Sequence, residues 1–294
     1  MKKIITTTIL TMSLFNTVLA APPTVTIKTS NSYDETVINN IKANNSNINI
    51  SKFNISGQDA LAKYFILKNS EPDIWYASDT AKVVQQGEKA KTIKVEFDYT
   101  EKEILAMQAY IDGIVKNAVA VANTFQKDCD KAKAVYDYLI DNYDYDWTLS
   151  KHKEYEMFKT GTGVCTAYSL AYKDIMQELN IPCEVVISRE ISHQWNIIQI
   201  DDEWYNVDPS WGDIFATESE DFRYDNFLKS DEYFTLLGHT GGTSESGAVC
   251  TSRKYDGGAL WQENKLLKNL RKLKNLLNEV SAEKKQVQLK YIKK

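Results

Sequence analysis

The stretch GTGVCTAYSLAYKDIMQELNIP, residues 161–182, constrains this chain more than any other, because it sets a cysteine where a helix begins. Gly161 and Gly163 permit a tight, unhindered backbone just before Cys165. Thr166 to Leu179 are good helix formers, and Asn180 with Pro182 closes the segment. Cys165 is therefore expected at a helix N-terminus, where unpaired N–H groups and the macrodipole favour negative charge. A thiol in that position has a lowered pKa and a larger thiolate fraction, which is what nucleophilic chemistry needs.

The residues that follow bring a histidine and an aspartate together. Cys183 to Ser188 reads as a buried strand, and His193 to Ile200 with Trp204 to Asp208 reads as a hairpin about Asp201-Asp202. A two-residue loop pairs Ile200 with Glu203 and sets Trp195 opposite Asp208. His193, two residues before Trp195, then shares a face with Asp208 as its diagonal neighbour. The carboxylate would orient the imidazole and stabilise its charged form. A three-residue loop without a bulge would separate the two.

Three blocks carry a family resemblance: Gly163-Val164-Cys165 with Tyr168, His193-x-Trp195-Asn196, and Trp204-Tyr205-x-Val207-Asp208-x-x-Trp211. In this order and spacing they resemble the core of the transglutaminase-like superfamily of cysteine enzymes, over roughly residues 90–240. The resemblance implies an α+β fold. Its papain/transglutaminase-like core packs the nucleophile's helix on an antiparallel sheet that carries the histidine and the aspartate. It implies a Cys165, His193, Asp208 triad in which sulfur attacks a carbonyl, the imidazole relays the proton and the carboxylate holds the imidazole. The chain departs from common bacterial members at Ala167, Gln194 and Pro209, and Gln194 is expected to narrow the substrate site. The backbone N–H of Cys165 is one expected oxyanion donor, and Tyr155 matches a tyrosine of similar bacterial sequences that would supply the second. Trp195 and Trp211 are expected as walls of the core or of the substrate cleft. His239 matches a histidine near the end of the family core.

The activity implied is that of an exported cysteine peptidase or amidase working through a thioester on a peptide or protein, cell-wall peptide included. A protein-crosslinking transglutaminase is the alternative within the same chemistry, and a noncatalytic binding module that kept the fold is the alternative outside it. No cofactor and no nucleic-acid partner is expected. The three histidines, His152, His193 and His239, stand without paired-cysteine spacing, so no metal is expected. The Asp144-x-Asp146 alternation lacks the rest of a calcium loop.

Address and organisation follow from the ends. Lys2-Lys3, the apolar run Ile4–Leu19 and Val18-Leu19-Ala20 read as a bacterial signal peptide over 1–20, which places the mature protein outside the cell or at its wall. No later stretch reads as long and apolar enough to span a membrane. Residues 21–90 are expected as a leader and accessory subdomain, 91–242 as the catalytic core, and 243–294 as a linker and a basic amphipathic helix. With Cys165 kept as a thiol, Cys129 and Cys250 remain available for a single disulfide. The net charge of −5 hides an asymmetry: residues 260–294 hold ten Lys or Arg against three Glu. There Leu266, Leu270, Leu273, Leu277 and Val280 form an apolar seam suited to packing on the domain, self-association or surface attachment.

Overall fold

In the computed structural model the described residues are 32–216 and 222–256. The expected signal peptide and the leucine-seam helix lie outside them.

The chain opens with α1 (Tyr33–Lys42), β1 (Asn47–Asn49) and α2 (Gly57–Ser70), followed by the hairpin of β2 (Ala77–Gln86) and β3 (Lys89–Phe97). Gly87 turns that hairpin at φ 60, and β1 adds to its edge in the antiparallel order β1-β3-β2. Pro72–Ile74 is a turn of 3-10 helix, and the strand starts at Ala77. α3 (Glu101–Ala122) is opened by a full capping box of Thr100 and Glu103, a device that stabilises a helix start by about 1 kcal/mol. α4 (Asp128–Asn142) follows after a short turn and packs on α3.

The segment 143–162 is polar and aromatic, yet it holds regular structure. β4 (Asp144–Tyr145) pairs in parallel with β5 (Thr162–Gly163), and α5 (Glu154–Thr160) lies between them. Gly161 ends α5 in the left-handed conformation at φ 82. A Cβ on Gly163 would stand 2.7 Å from Met157 Cγ, so only glycine lets the strand pass that side chain. Asp146 does not sit in a cation loop. Its carboxylate accepts from the backbone N–H groups of Thr148, Ser150 and Lys151 and from two hydroxyls.

α6 (Cys165–Glu178) runs from that strand across a five-stranded antiparallel sheet of order β10-β6-β7-β8-β9. Its strands are β6 (Cys183–Ser188), β7 (His193–Ile200), β8 (Glu203–Val207), β9 (Phe227–Lys229) and β10 (Gly242–Thr243). Alternation along β7 divides its side chains. Ile198 and Ile200 join the core under α6, while Trp195 and Ile197 face a second cluster with Val186, Tyr233 and Phe234. α7 (Pro209–Ala216) follows β8, and α8 (Asp231–Leu237) covers the second face.

The accessory elements share one apolar core with α3 to α6, which contains Tyr64, Trp75, Tyr136, Tyr168 and Ile198 together. Lys173 of α6 ties them further, donating to Glu71 at 2.6 Å and to the Ser70 carbonyl at the end of α2. After Gly242 the chain stays on the core as far as Asp256, where a linker was expected. Asp256 accepts from the N–H and the hydroxyl of Ser230, and Cys250 is buried.

Among the described residues one helix, α3, is by length and composition long and apolar enough to cross a membrane, contrary to the expectation from sequence. Its inner face buries Ile111, Val115, Ala118 and Ala122, spaced as one helical stripe.

Candidate active site

Cys165 is the first residue of α6, and the preceding Val164 has no side chain able to cap the helix. The positive end of the helix dipole favours an anion at the sulfur or on a bound carbonyl oxygen. The β4–β5 pairing and the Gly161 turn hold this N-terminus in place.

The hairpin brings His193 to it. Ile200 pairs with Glu203 across Asp201 and Asp202, both at positive φ as a two-residue hairpin turn requires. The register continues to Asn196 opposite Val207, so Asp208 leaves β8 beside His193. Asp208 also begins α7. Its Oδ1 accepts from the Trp211 N–H at 3.1 Å and from the Ser210 hydroxyl at 2.7 Å, and Pro209 stands first in the helix. Proline at this position, a departure from similar sequences, therefore suits the cap that fixes the carboxylate.

His193 Nε2 lies 2.6 Å from Asp208 Oδ2, and the ring also hydrogen-bonds the Cys165 side chain. Burial disfavours the imidazolium, but Asp208 and then the Cys165 sulfur outweigh it and raise the His193 pKa to about 9. Asp208 is itself buried, yet His193 and His239 hold its carboxyl well below the usual carboxylate range.

His239 completes the group. Its Nε2 lies 2.9 Å from the same Asp208 Oδ2, and burial drops its pKa to about 4. It is therefore a neutral ring donating one N–H, and its Nδ1 has no hydrogen-bond partner. The sequence offered only a family match for this residue, since it lies on the loop after α8, far along the chain from the triad.

His193, Asp208 and His239 place three ligand atoms within 4.8 Å of one another. Two ligands of a tetrahedral zinc ion stand roughly 3.3 Å apart. Here both imidazoles lie closer to one carboxylate oxygen, at 2.6 and 2.9 Å. The arrangement suits a hydrogen-bond chain better than an ion.

The other expected site residues divide. Trp211 lies 4.9 Å from the His193 ring and 4.0 Å from His239, partly exposed, and forms a wall of the site. Trp195 is 6.0 Å from His193 and stacked on it, but it is buried and donates to Asn206 Oδ1, so it is a core support. Gln194 is not in the cleft: its amide donates to Asn69 O and Ser169 Oγ, clamping α2 to α6. The structure does not bring Tyr155 to the thiol, because its ring is stacked on Trp75 at 5.8 Å and set edge-on to Tyr110.

A buried phenol within electrostatic reach of the thiol is that of Tyr145. Its backbone N–H donates to Asp213 Oδ2 at 2.8 Å, which fixes β4 against α7. Burial, then the neighbouring Cys165 and Asp208, keep this phenol protonated and thus a donor. It sits on a two-residue strand, too short for a periodic signal in the sequence. Of the cysteines, none is in a disulfide; Cys183 is buried, and its thiol is pushed up to about 12.

A cleft of about 590 Å³ opens nearby between α2 and the edge of the sheet, with Lys63, Arg189, Glu190, Gly241 and Glu245 among its walls. Val185 and Ile187 in its wall share the face of Gln194 and Asn196, whereas His193 shares the opposite face with Val186 and Trp195, so the cleft lies across the sheet from the triad histidine.

This architecture is an α+β core of the papain/transglutaminase-like kind. Residues 116–209 match the transglutaminase-like superfamily. Among solved structures, the chain is similar to a TGase at 14% identity and TM-score 0.34, covering 44% of this chain and 43% of that one. It is similar also to a candidate cysteine protease from Cytophaga hutchinsonii at 11% identity and TM-score 0.30, covering 45% of this chain and 61% of that one. The chain thus spans less than two thirds of either protein. No curated protein matches it.

Proposed function

We propose that the protein is an exported cysteine acyl-transfer enzyme that hydrolyses peptide or amide bonds through a thioester. The observation that carries the reading is a single buried imidazole between the Cys165 sulfur and the Asp208 carboxylate, at the N-terminus of α6. The Cys165 thiolate attacks the substrate carbonyl, and the carbonyl oxygen takes up the negative charge. The N–H of Cys165 and the Tyr145 hydroxyl bind that oxyanion, Tyr145 taking the part expected of Tyr155. Collapse of the tetrahedral intermediate breaks the C–N bond, and His193 protonates the departing amine. Water, deprotonated by His193, then attacks the thioester, releasing the acid and the thiol. Asp208 keeps the imidazole oriented throughout.

The test is mass spectrometry of secreted proteins and wall peptides incubated with the wild type and with Cys165→Ala. New peptide termini that depend on Cys165 support hydrolysis, and new glutamine–lysine crosslinks indicate transamidation. Neither product from any substrate, with the wild type folded, removes the enzyme reading.

A further inference from the structure

α3 is an apolar helix that packs on α4, α5 and α6 and leaves an outer face to solvent among the described residues. Leu105 is 55% exposed, Val121 47%, Tyr110 38%, and Phe125 in the following turn 44%. Between them Ala106, Ala109, Gly113 and Ala120 also face solvent. At helical spacing Ala106, Ala109, Gly113, Ala120 and Val121 form one stripe opposite the buried Ile111, Val115 and Ala118, flanked by Tyr110, which rests on α5 and donates to the Phe158 carbonyl. A stripe this long, left to water, exposes apolar area that other helices of this fold bury.

The chain itself holds a segment that fits. The last described residues end near the C-terminal end of α3. Tyr255 neighbours Cys129, in the first turn of α4, which the turn 123–127 joins directly to α3. From there 38 residues remain, 257–294. Nine of them, 257–265, precede the leucine seam and reach at most about 30 Å. The seam of Leu266, Leu270, Leu273, Leu277 and Val280 reads from sequence as helical.

We propose that residues 266–285 dock as an antiparallel helix along the outer face of α3 of the same chain. Starting beside Phe125 and Val121, the segment runs back toward the N-terminus of α3. Helices share one rise per residue, so the register that sets Leu266 beside Val121 sets Leu273 near Gly113 and Lys284 beside Glu103. The small residues of α3 let the backbones approach at the middle of the pair. Exposed Glu101 and Glu103 meet Lys284 and Lys285 at its end. Exposed Asp112, Lys116 and Asn117 interrupt the stripe for a lipid surface, whereas a helix rich in lysine accommodates them.

The test places a benzoylphenylalanine photocrosslinker at Ala109 in the full mature chain, in an equal mixture of ¹⁴N- and ¹⁵N-labelled protein. The docked tail predicts crosslinks from position 109 to residues 270–285, joining peptides of the same isotope. It also predicts at least a fivefold loss of that crosslink in Leu270→Glu/Leu277→Glu. Mixed-isotope crosslinks would replace the proposal with a tail-mediated dimer. Crosslinks elsewhere, none to the tail, or transfer to lipid when anionic vesicles are added would overturn it. Circular dichroism of each variant shows whether the fold is kept.

Discussion

α6 and α3 are both rich in apolar residues, yet their surroundings differ. α6 buries Cys165, Ala167, Tyr168, Leu170, Ala171, Tyr172, Ile175 and Met176, wedged between the sheet and the other helices. α3 buries a single stripe and leaves the other side open among the described residues. The difference separates two uses of apolar sequence. In α6 burial on nearly every side holds one side chain at a fixed place, and the first residue of that helix is the thiol. In α3 the inner stripe anchors the helix, and the outer stripe is surface that a further element can cover.

The largest expected effect is at the start of α6. Cys165→Ala should lower turnover at least about 10³-fold while the melting temperature moves by a few degrees at most, as joint activity assays and thermal melts will show. Substitutions further along each helix sharpen the contrast. Leu170→Ala, in the buried face of α6, should cost about 2–5 kcal/mol in urea unfolding. Val121→Ala on α3 should cost about 1 kcal/mol if the tail covers it, and under about 0.5 kcal/mol if water does.

Tyr145→Phe tests the corner where β4 meets α6. It should reduce turnover by about 10²-fold and leave the alkylation rate of Cys165 unchanged, because alkylation develops no oxyanion. Equal losses in both assays would mean that the phenol supports only the fold.

The pH dependence follows from His193. Its folded pKa of about 9 lies above the ordinary 6.5, so the folded state holds this proton more tightly than the unfolded chain. The stability this supplies is complete below about 6.5 and is lost as pH rises through about 9. Turnover should fall along an alkaline limb near pH 9, and thermal melts of the wild type should decline over the same interval. His239, neutral across this range, should contribute no step.

Much of the site was legible because local rules wrote it. The helix start at Cys165 follows from glycines and a run of helix formers, and the His193–Asp208 pairing follows from a two-residue turn and the period of a strand. Tyr145 was hidden because a two-residue parallel pairing leaves no periodic trace. Tyr155 matched a tyrosine of similar sequences, but Trp75, eighty residues upstream, holds its ring in the core. Gln194 was read from its neighbour His193, but alternation turns adjacent strand residues to opposite faces, and its amide went to α6 and α2. The open side of α3 was invisible for a similar reason: sequence shows that a stripe is apolar, not what it meets.

The central claim is that Cys165 and His193 work as one nucleophile–base unit. The rate of Cys165 alkylation by iodoacetamide, followed from pH 5 to 10 in the wild type and in His193→Ala, tests it most directly. The account predicts ready alkylation of the wild type at pH 6, with a midpoint well below the ~8.5 of an ordinary cysteine, and a shift toward that value in His193→Ala. A wild-type midpoint at or above ~8.5, or identical profiles for the two proteins, would contradict it.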